Sequence, residues 1–306
     1  MDSSASKNFE LTAAVLHIIA MTLMLMDHLW ATLLPAREWL TCAGRVAFPI
    51  FAFMAVEGYF HTRSFKKYIL RMLLFAVLSE IPFDLMYGGT WFYPVHQNVL
   101  WTFLLGLLGV WLMEQVRKKG KTWMYLLVCV LVVLAGLVLG TLCMVDYYGV
   151  GVLTVFVFYF LHGRKWWCFL GQLAALYWLN VELLGGLMYP VQLFGMEFEL
   201  CQQGLALLAL IPIWLYHGRQ GYHSKPFQYL CYAFYPVHML LLVVVLLQYS
   251  TSFFRVLAKL WTLLWKEEMR FVRLTVLQST TLTTSVLATL PLLKCWLPWM
   301  NALREA

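Results

Sequence analysis

Apolar residues run in long blocks separated by short polar stretches, without the strict alternation that marks half-buried strands. With their flanks the blocks fall at about 11 to 34, 39 to 61, 68 to 87, 98 to 116, 123 to 144, 149 to 162, 166 to 185, 204 to 217 and 228 to 248. Most approach the roughly 20 residues a helix needs to cross a hydrocarbon core of about 30 Å. The pattern therefore predicts an all-α, polytopic helical membrane protein of nine spans, or ten if the weaker run at 281 to 298 also crosses. The blocks at 149 to 162 and 204 to 217 are short for a full crossing. Residues 186 to 203 mix Gly, Pro and Glu with large apolar side chains and read as a long outer loop or a re-entrant or interfacial segment. Beyond 250, FFRVLAKLWTLLWKEEMRFVRL interleaves basic and apolar residues as an interfacial helix does. Residues 1–250 thus form a helical bundle and 251–306 a separate tail.

Composition agrees: 62% of the 306 residues are hydrophobic and 12% charged, which excludes an ordinary soluble domain. The net charge of +7 would suggest nucleic acid in a soluble protein. Here it reads as topology. Loops after even-numbered blocks carry eleven Lys and Arg, whereas loops after odd-numbered blocks up to 248 carry Arg37 alone, which predicts a cytoplasmic N-terminus and no nucleic-acid partner. The seven cysteines lie mostly inside apolar runs without a CxxC pair, so neither a disulfide frame nor a metal site is expected. The first apolar run lacks a small-residue cleavage pattern and reads as a retained helix.

Ionisable residues inside spans are costly and carry a functional prior. Here they gather in one leaflet: Asp27 and His28 in the first block, Arg45 in the second, Glu80 and Asp84 in the third, with His96, Asn98, Asp146, Asn180 and Glu182 at similar depth. Glu80 and Asp84, four apart, share a helix face and want a cation, for which Arg45 is nearest by depth. Asp27 points about 100° from its neighbour His28, so Glu80 or Asp84 would orient that imidazole better. Plainer readings stand beside these: an interfacial His28, a structural Arg45 pair, a core His238 bonded to a carbonyl, and Arg63, Lys66 and Lys67 as topology signals.

Several strings resemble the TraX family, named for the membrane protein that acetylates the N-terminus of conjugative pilin. They are LHIIAMTLMLMDHLW, GRVAFPIFAFMAVEGYFHTRSFKKYILR, LLFAVLSEIPFDL, QNVLWTFLLGLL, YGVGVL and KPFQYLCYAFYPVHMLLL, together covering most of residues 11 to 248. The family is similar to a wider group of transmembrane acyltransferases that move an acyl group from cytoplasmic acyl-CoA to an acceptor on the far side. The resemblance implies His28 as the catalytic histidine. His17, eleven residues earlier, stands where that group carries a basic residue.

Residues and resemblance together give an acetyltransferase expectation. His28 acts as general base, oriented by Glu80 or Asp84, with Asp27 beside it and Arg45 locking the carboxylates or supporting the oxyanion. Acetyl-CoA lands on Arg63, Lys66 and Lys67, with Arg71 and His17. Asn98, Asp146, Tyr235 and His238 line the acceptor side, and no metal is expected. The acceptor would be an extracytoplasmic glycan, peptide or small molecule, and the location a bacterial cytoplasmic membrane with lipid as solvent. The alternatives are an ion-coupled secondary transporter using the same ionisable residues and a non-catalytic assembly partner.

Overall fold

The computed structural model describes residues 10–193 and 195–249. The amphipathic tail and the tenth span expected after residue 250 lie outside the described residues. Within them the chain is mostly helical, in the order α1 (Ala13–Thr32), α2 (Glu38–Gly44), α3 (Ala47–His61), α4 (Phe65–Tyr87), α5 (Val99–Arg117), α6 (Thr122–Leu142), α7 (Tyr148–Phe160) and α8 (Trp166–Tyr177). A wider π-helical segment, Trp178–Leu184, continues α8. After the strands β1 (Met188–Leu193) and β2 (Met196–Cys201), a 3-10 segment, Gln203–Ala209, leads into α9 (Leu210–Leu215). The final helix, α10, spans Lys225–Tyr249.

Polar residues punctuate the helix starts. The Thr12 hydroxyl accepts from the Val15 N–H before α1, Ser64 from Lys67 before α4, and Asn98 from Leu100 before α5. Among the described residues six segments are long and apolar enough to cross a membrane: α1, the broken rod Glu38–His61, α5, α6, Trp166–Leu184 and α10. At 23 residues, α4 has the length, but Lys66, Lys67, Arg71, Glu80 and Asp84 dilute its apolar character.

Two features depart from the expected pattern. The second block is not one continuous helix, since the chain breaks at Arg45 and Val46 between α2 and α3. Residues 186 to 203 contain a β-hairpin, so the protein is not wholly helical.

The short block at 149 to 162 has a packing explanation. Along α7, Val152, Val155, Phe156 and Phe158 are almost fully buried, as befits a helix enclosed by protein. A Cβ on Gly149 would meet the Leu137 backbone oxygen of α6 at 2.1 Å, and one on Gly106 of α5 would meet Val155 at 2.8 Å. Glycine therefore lets α5, α6 and α7 cross closely. This centre, with the buried faces of α1 and α3, holds the core and fixes the ends of α1, α2, α5 and α7 around one cavity.

Candidate functional site: a histidine pair beside two abutting cavities

His28, in the penultimate turn of α1, and His238 of α10 are both buried and joined ring to ring. Nδ1 of His28 lies 2.7 Å from Nε2 of His238, with ring planes within 9°. The protons follow from the far end of the chain of bonds. His238 Nδ1 sits 2.6 Å from the Phe234 carbonyl, one turn earlier on α10. A carbonyl only accepts, so Nδ1 of His238 carries hydrogen and Nε2 of the neutral ring accepts from His28 Nδ1. His28 Nε2 is left with its lone pair. The ring that orients His28 thus comes from α10 and not from Glu80 or Asp84.

Those two carboxylates have other work. Glu80 accepts from the Asn98 side-chain amide and, at 2.8 Å, from the Trp101 indole. Asp84 accepts from the Tyr93 backbone N–H at 3.0 Å. Asn98, fully buried, also donates to the Ala76 carbonyl, so it ties α4 to α5, and it lines neither of the two cavities described below. Pro82 inside α4 has no N–H to donate, which leaves the helix hydrogen bonding incomplete in this stretch.

Arg45 instead pairs with Asp27. Its Nη2 lies 2.6 Å from Asp27 Oδ1 and 2.9 Å from Thr41 Oγ1, and Thr41 Oγ1 donates to the same carboxylate oxygen at 2.7 Å. The approach needs Gly44, where a Cβ would lie 2.4 Å from that of Asp27. Nη1 of Arg45 is less committed, 3.5 Å from Gln203 Oε1. Gln203 in turn donates to Asn180 in the π-helical segment, a kind of local distortion frequent at functional sites.

These groups surround a cavity of about 330 Å³ lined by Asp27, His28, Arg45, His96, Asp146 and Tyr235, among others. His96 Nε2 is 3.3 Å from Asp146 Oδ1, and this hydrogen bond raises the His96 pKa against the lowering effect of burial. The loop that delivers Asp146 is strained: Met144, Tyr147 and Tyr148 have φ of 50°, 60° and 51°. It is held by the Gln97 backbone, which donates to Met144 O at 2.9 Å and accepts from Asp146 N at 3.0 Å. Thr102 donates to the Asp146 carbonyl at 2.7 Å, and Tyr147 stacks on Phe48 at 4.0 Å.

A second cavity, of about 450 Å³, lies among α1, α3, α4, α5 and α10. His17 and Arg71 line it, together with His61, Gln220 and His223, which were not singled out from sequence. Arg63, Lys66 and Lys67 are exposed beside Thr62 and Tyr68 of its wall. Met24, Phe51, Val99 and Tyr235 belong to the walls of both cavities. His17 and His28 are eleven residues apart on one helix, about 16 Å along its axis. Met24 stands one turn before His28 at the common wall.

Fold and site define a multi-span helical membrane protein with a buried histidine pair, of which His28 lines the smaller of two abutting cavities and His238 lines neither. The chain belongs to the TraX family, whose model, described as TraX protein, matches residues 12–246. It is similar to the "Probable fimbrial assembly protein FimC, serogroup H1" of Dichelobacter nodosus, with 29% identity over 249 residues, covering 78% of this chain and 96% of that protein. No solved structure matches it. The matched segment runs from the cap of α1 into α10 and contains every residue of the histidine relay.

Proposed function

We propose that the protein is a membrane-embedded acetyltransferase that takes acetyl from cytoplasmic acetyl-CoA and passes it to an amine or hydroxyl acceptor at the opposite side of a bacterial cytoplasmic membrane. One observation carries the reading: the imidazole with a free Nε2 lines one cavity, and that cavity shares four wall residues with another whose lining includes His17, His61, Arg71 and His223. A donor and an acceptor arriving from opposite ends would meet at that base. The basic loops beside the larger cavity set the orientation, with the N-terminus inside.

The phosphates of the donor bind near His17, Arg71, His61 and His223, with Arg63, Lys66 and Lys67 raising the local positive potential. The pantetheine arm passes the wall formed by Met24, Phe51, Val99 and Tyr235. His28 Nε2 removes the proton from the acceptor as its nitrogen or oxygen attacks the thioester carbonyl. Arg45 Nη1 donates to the oxyanion, which collapses with cleavage of the carbon–sulfur bond. The thiolate leaves and takes the proton from His28, restoring the neutral ring. His238 stabilises the transient imidazolium by accepting from Nδ1. Asp146 and His96 stand on the acceptor side of the same cavity.

Purified protein in proteoliposomes, given labelled acetyl-CoA on one side and candidate amine and hydroxyl acceptors on the other, tests the reading by mass spectrometry of the acceptors. Label transfer that disappears in His28→Ala supports it. Undiminished turnover in that variant removes His28 from the chemistry, and ion-coupled uptake without acetyl-CoA consumption would make the protein a transporter.

A further inference from the structure

The hairpin of β1 and β2 is sorted by polarity in a way its short sequence hides. The strands pair antiparallel with Tyr189 opposite Leu200, Val191 opposite Phe198 and Leu193 opposite Met196. Directly opposed residues share a face, and the face alternates along each strand. One face therefore carries Tyr189, Val191, Met196, Phe198 and Leu200. The other carries Pro190 opposite Glu199 and Gln192 opposite Glu197, with Gln192 Nε2 donating to Glu197 Oε1 at 3.1 Å. Met188 and Cys201 form its base.

Among the described residues the bundle leaves the apolar face open: Val191, Met196, Phe198 and Leu200 are all exposed, Met196 at 57%. The surface is continuous in sequence with one that has the character of a lipid-facing surface. Tyr177, Trp178, Leu183 and Leu187 are exposed in the stretch leading into β1, and exposed aromatic residues beside a membrane span collect at headgroup level. The hairpin is also rooted in the site, because Gly185 before it and Gln203 after it line the cavity that holds His28.

We propose that this hairpin lies flat in the headgroup region of the leaflet nearest that cavity, with Val191, Phe198, Met196 and Leu200 against the acyl boundary and Glu197 and Glu199 toward water. The occupant of the apolar face is lipid. Charge fixes which way the hairpin lies: the inverted placement would drive two carboxylates into the bilayer, whereas this one keeps both hydrated. The cavity mouth then opens at the membrane surface, where an acceptor moving along the lipid reaches it laterally. The proposal does not depend on the acetyltransferase reading.

The test uses the full chain reconstituted in phosphatidylcholine vesicles, with its seven native cysteines replaced by serine and a nitroxide attached singly at Val191→Cys, Phe198→Cys, Gln192→Cys or Glu199→Cys. Collision with oxygen, which concentrates in lipid, is compared with collision with a water-soluble nickel chelate. The expected result is several-fold greater oxygen access than nickel access at 191 and 198, with the reverse at 192 and 199. Nickel access at all four positions would place the hairpin in water and overturn the proposal. Screening of 191 and 198 from both probes would show that protein covers the face and would overturn it equally.

Discussion

Nδ1 of His28 and Nε2 of His238 approach to 2.7 Å although 210 residues separate them in the chain. The contact fixes both tautomers because the Phe234 carbonyl decides where the first proton sits. On the acetyltransferase reading, His28→Ala is expected to remove the general base and lower acetyl transfer about 100- to 10,000-fold. His238→Ala should cost less, because it frees the tautomer of His28 without removing that imidazole. His238→Gln, whose side-chain oxygen can accept from Nδ1, should recover part of that loss. Rates for the three variants at equal membrane content check the order.

Asp27 and Arg45 form a three-membered polar set with Thr41, and removing one partner leaves the other poorly satisfied. Asp27→Ala or Arg45→Ala is expected to destabilise the protein by about 1.5–3 kcal/mol, the range for hydrogen bonds to charged groups. The double variant should lose less than the sum of the two. Denaturation midpoints in detergent for the single and double variants measure the coupling.

The polar end of the bundle was legible in sequence, but its partnerships were not. Depth along a helix places Arg45 level with Glu80 and Asp84, yet depth says nothing about which way a side chain points around the axis. That direction is set by the break at Arg45 and Val46 and by Gly44, which admits Asp27 from α1. Helix positions were readable because apolar length and capping residues such as Thr12, Ser64 and Asn98 are local. The role of Asn98 was not, since its amide closes a bond to Glu80 across 18 residues. Residues 186 to 203 read as irregular because the cross-strand sorting emerges only once Tyr189 is paired with Leu200.

His96 and Asp146 predict a pH dependence of defined sign. The hydrogen bond to Asp146 raises the His96 pKa above its ordinary 6.5, so the folded state binds the proton more tightly than the unfolded chain. This contribution is fully present below about pH 6.5 and fades as pH rises through the higher folded value. His96→Gln should therefore lower the melting temperature at about pH 5.5 more than at about pH 8.5. An equal loss at both values would show that the imidazole charge is not involved.

Gly149 is expected to tolerate no side chain, because the obstacle is backbone: the Leu137 oxygen would be 2.1 Å from the new Cβ. Gly149→Ala should separate α6 from α7 and destabilise the protein by about 1–3 kcal/mol or more, the range for overpacked cores. Gly120→Ala offers the contrast. Its Cβ would meet nothing within 4 Å, although its φ of +74° still carries a modest backbone strain. Folded yield and thermal midpoint of the two variants distinguish buried crossing from surface turn.

Three consecutive-region residues, Met144, Tyr147 and Tyr148, hold left-handed backbone angles while Gln97, Thr102 and Phe48 pin the loop from two sides. A segment so constrained cannot relax into a commoner geometry without surrendering its anchors. The vestibule around Asp146 is consequently shaped before any visitor arrives. On the acetyltransferase reading, discrimination among acceptors then rests on goodness of fit to a ready-made mould, and not on how far a guest can persuade its host to rearrange.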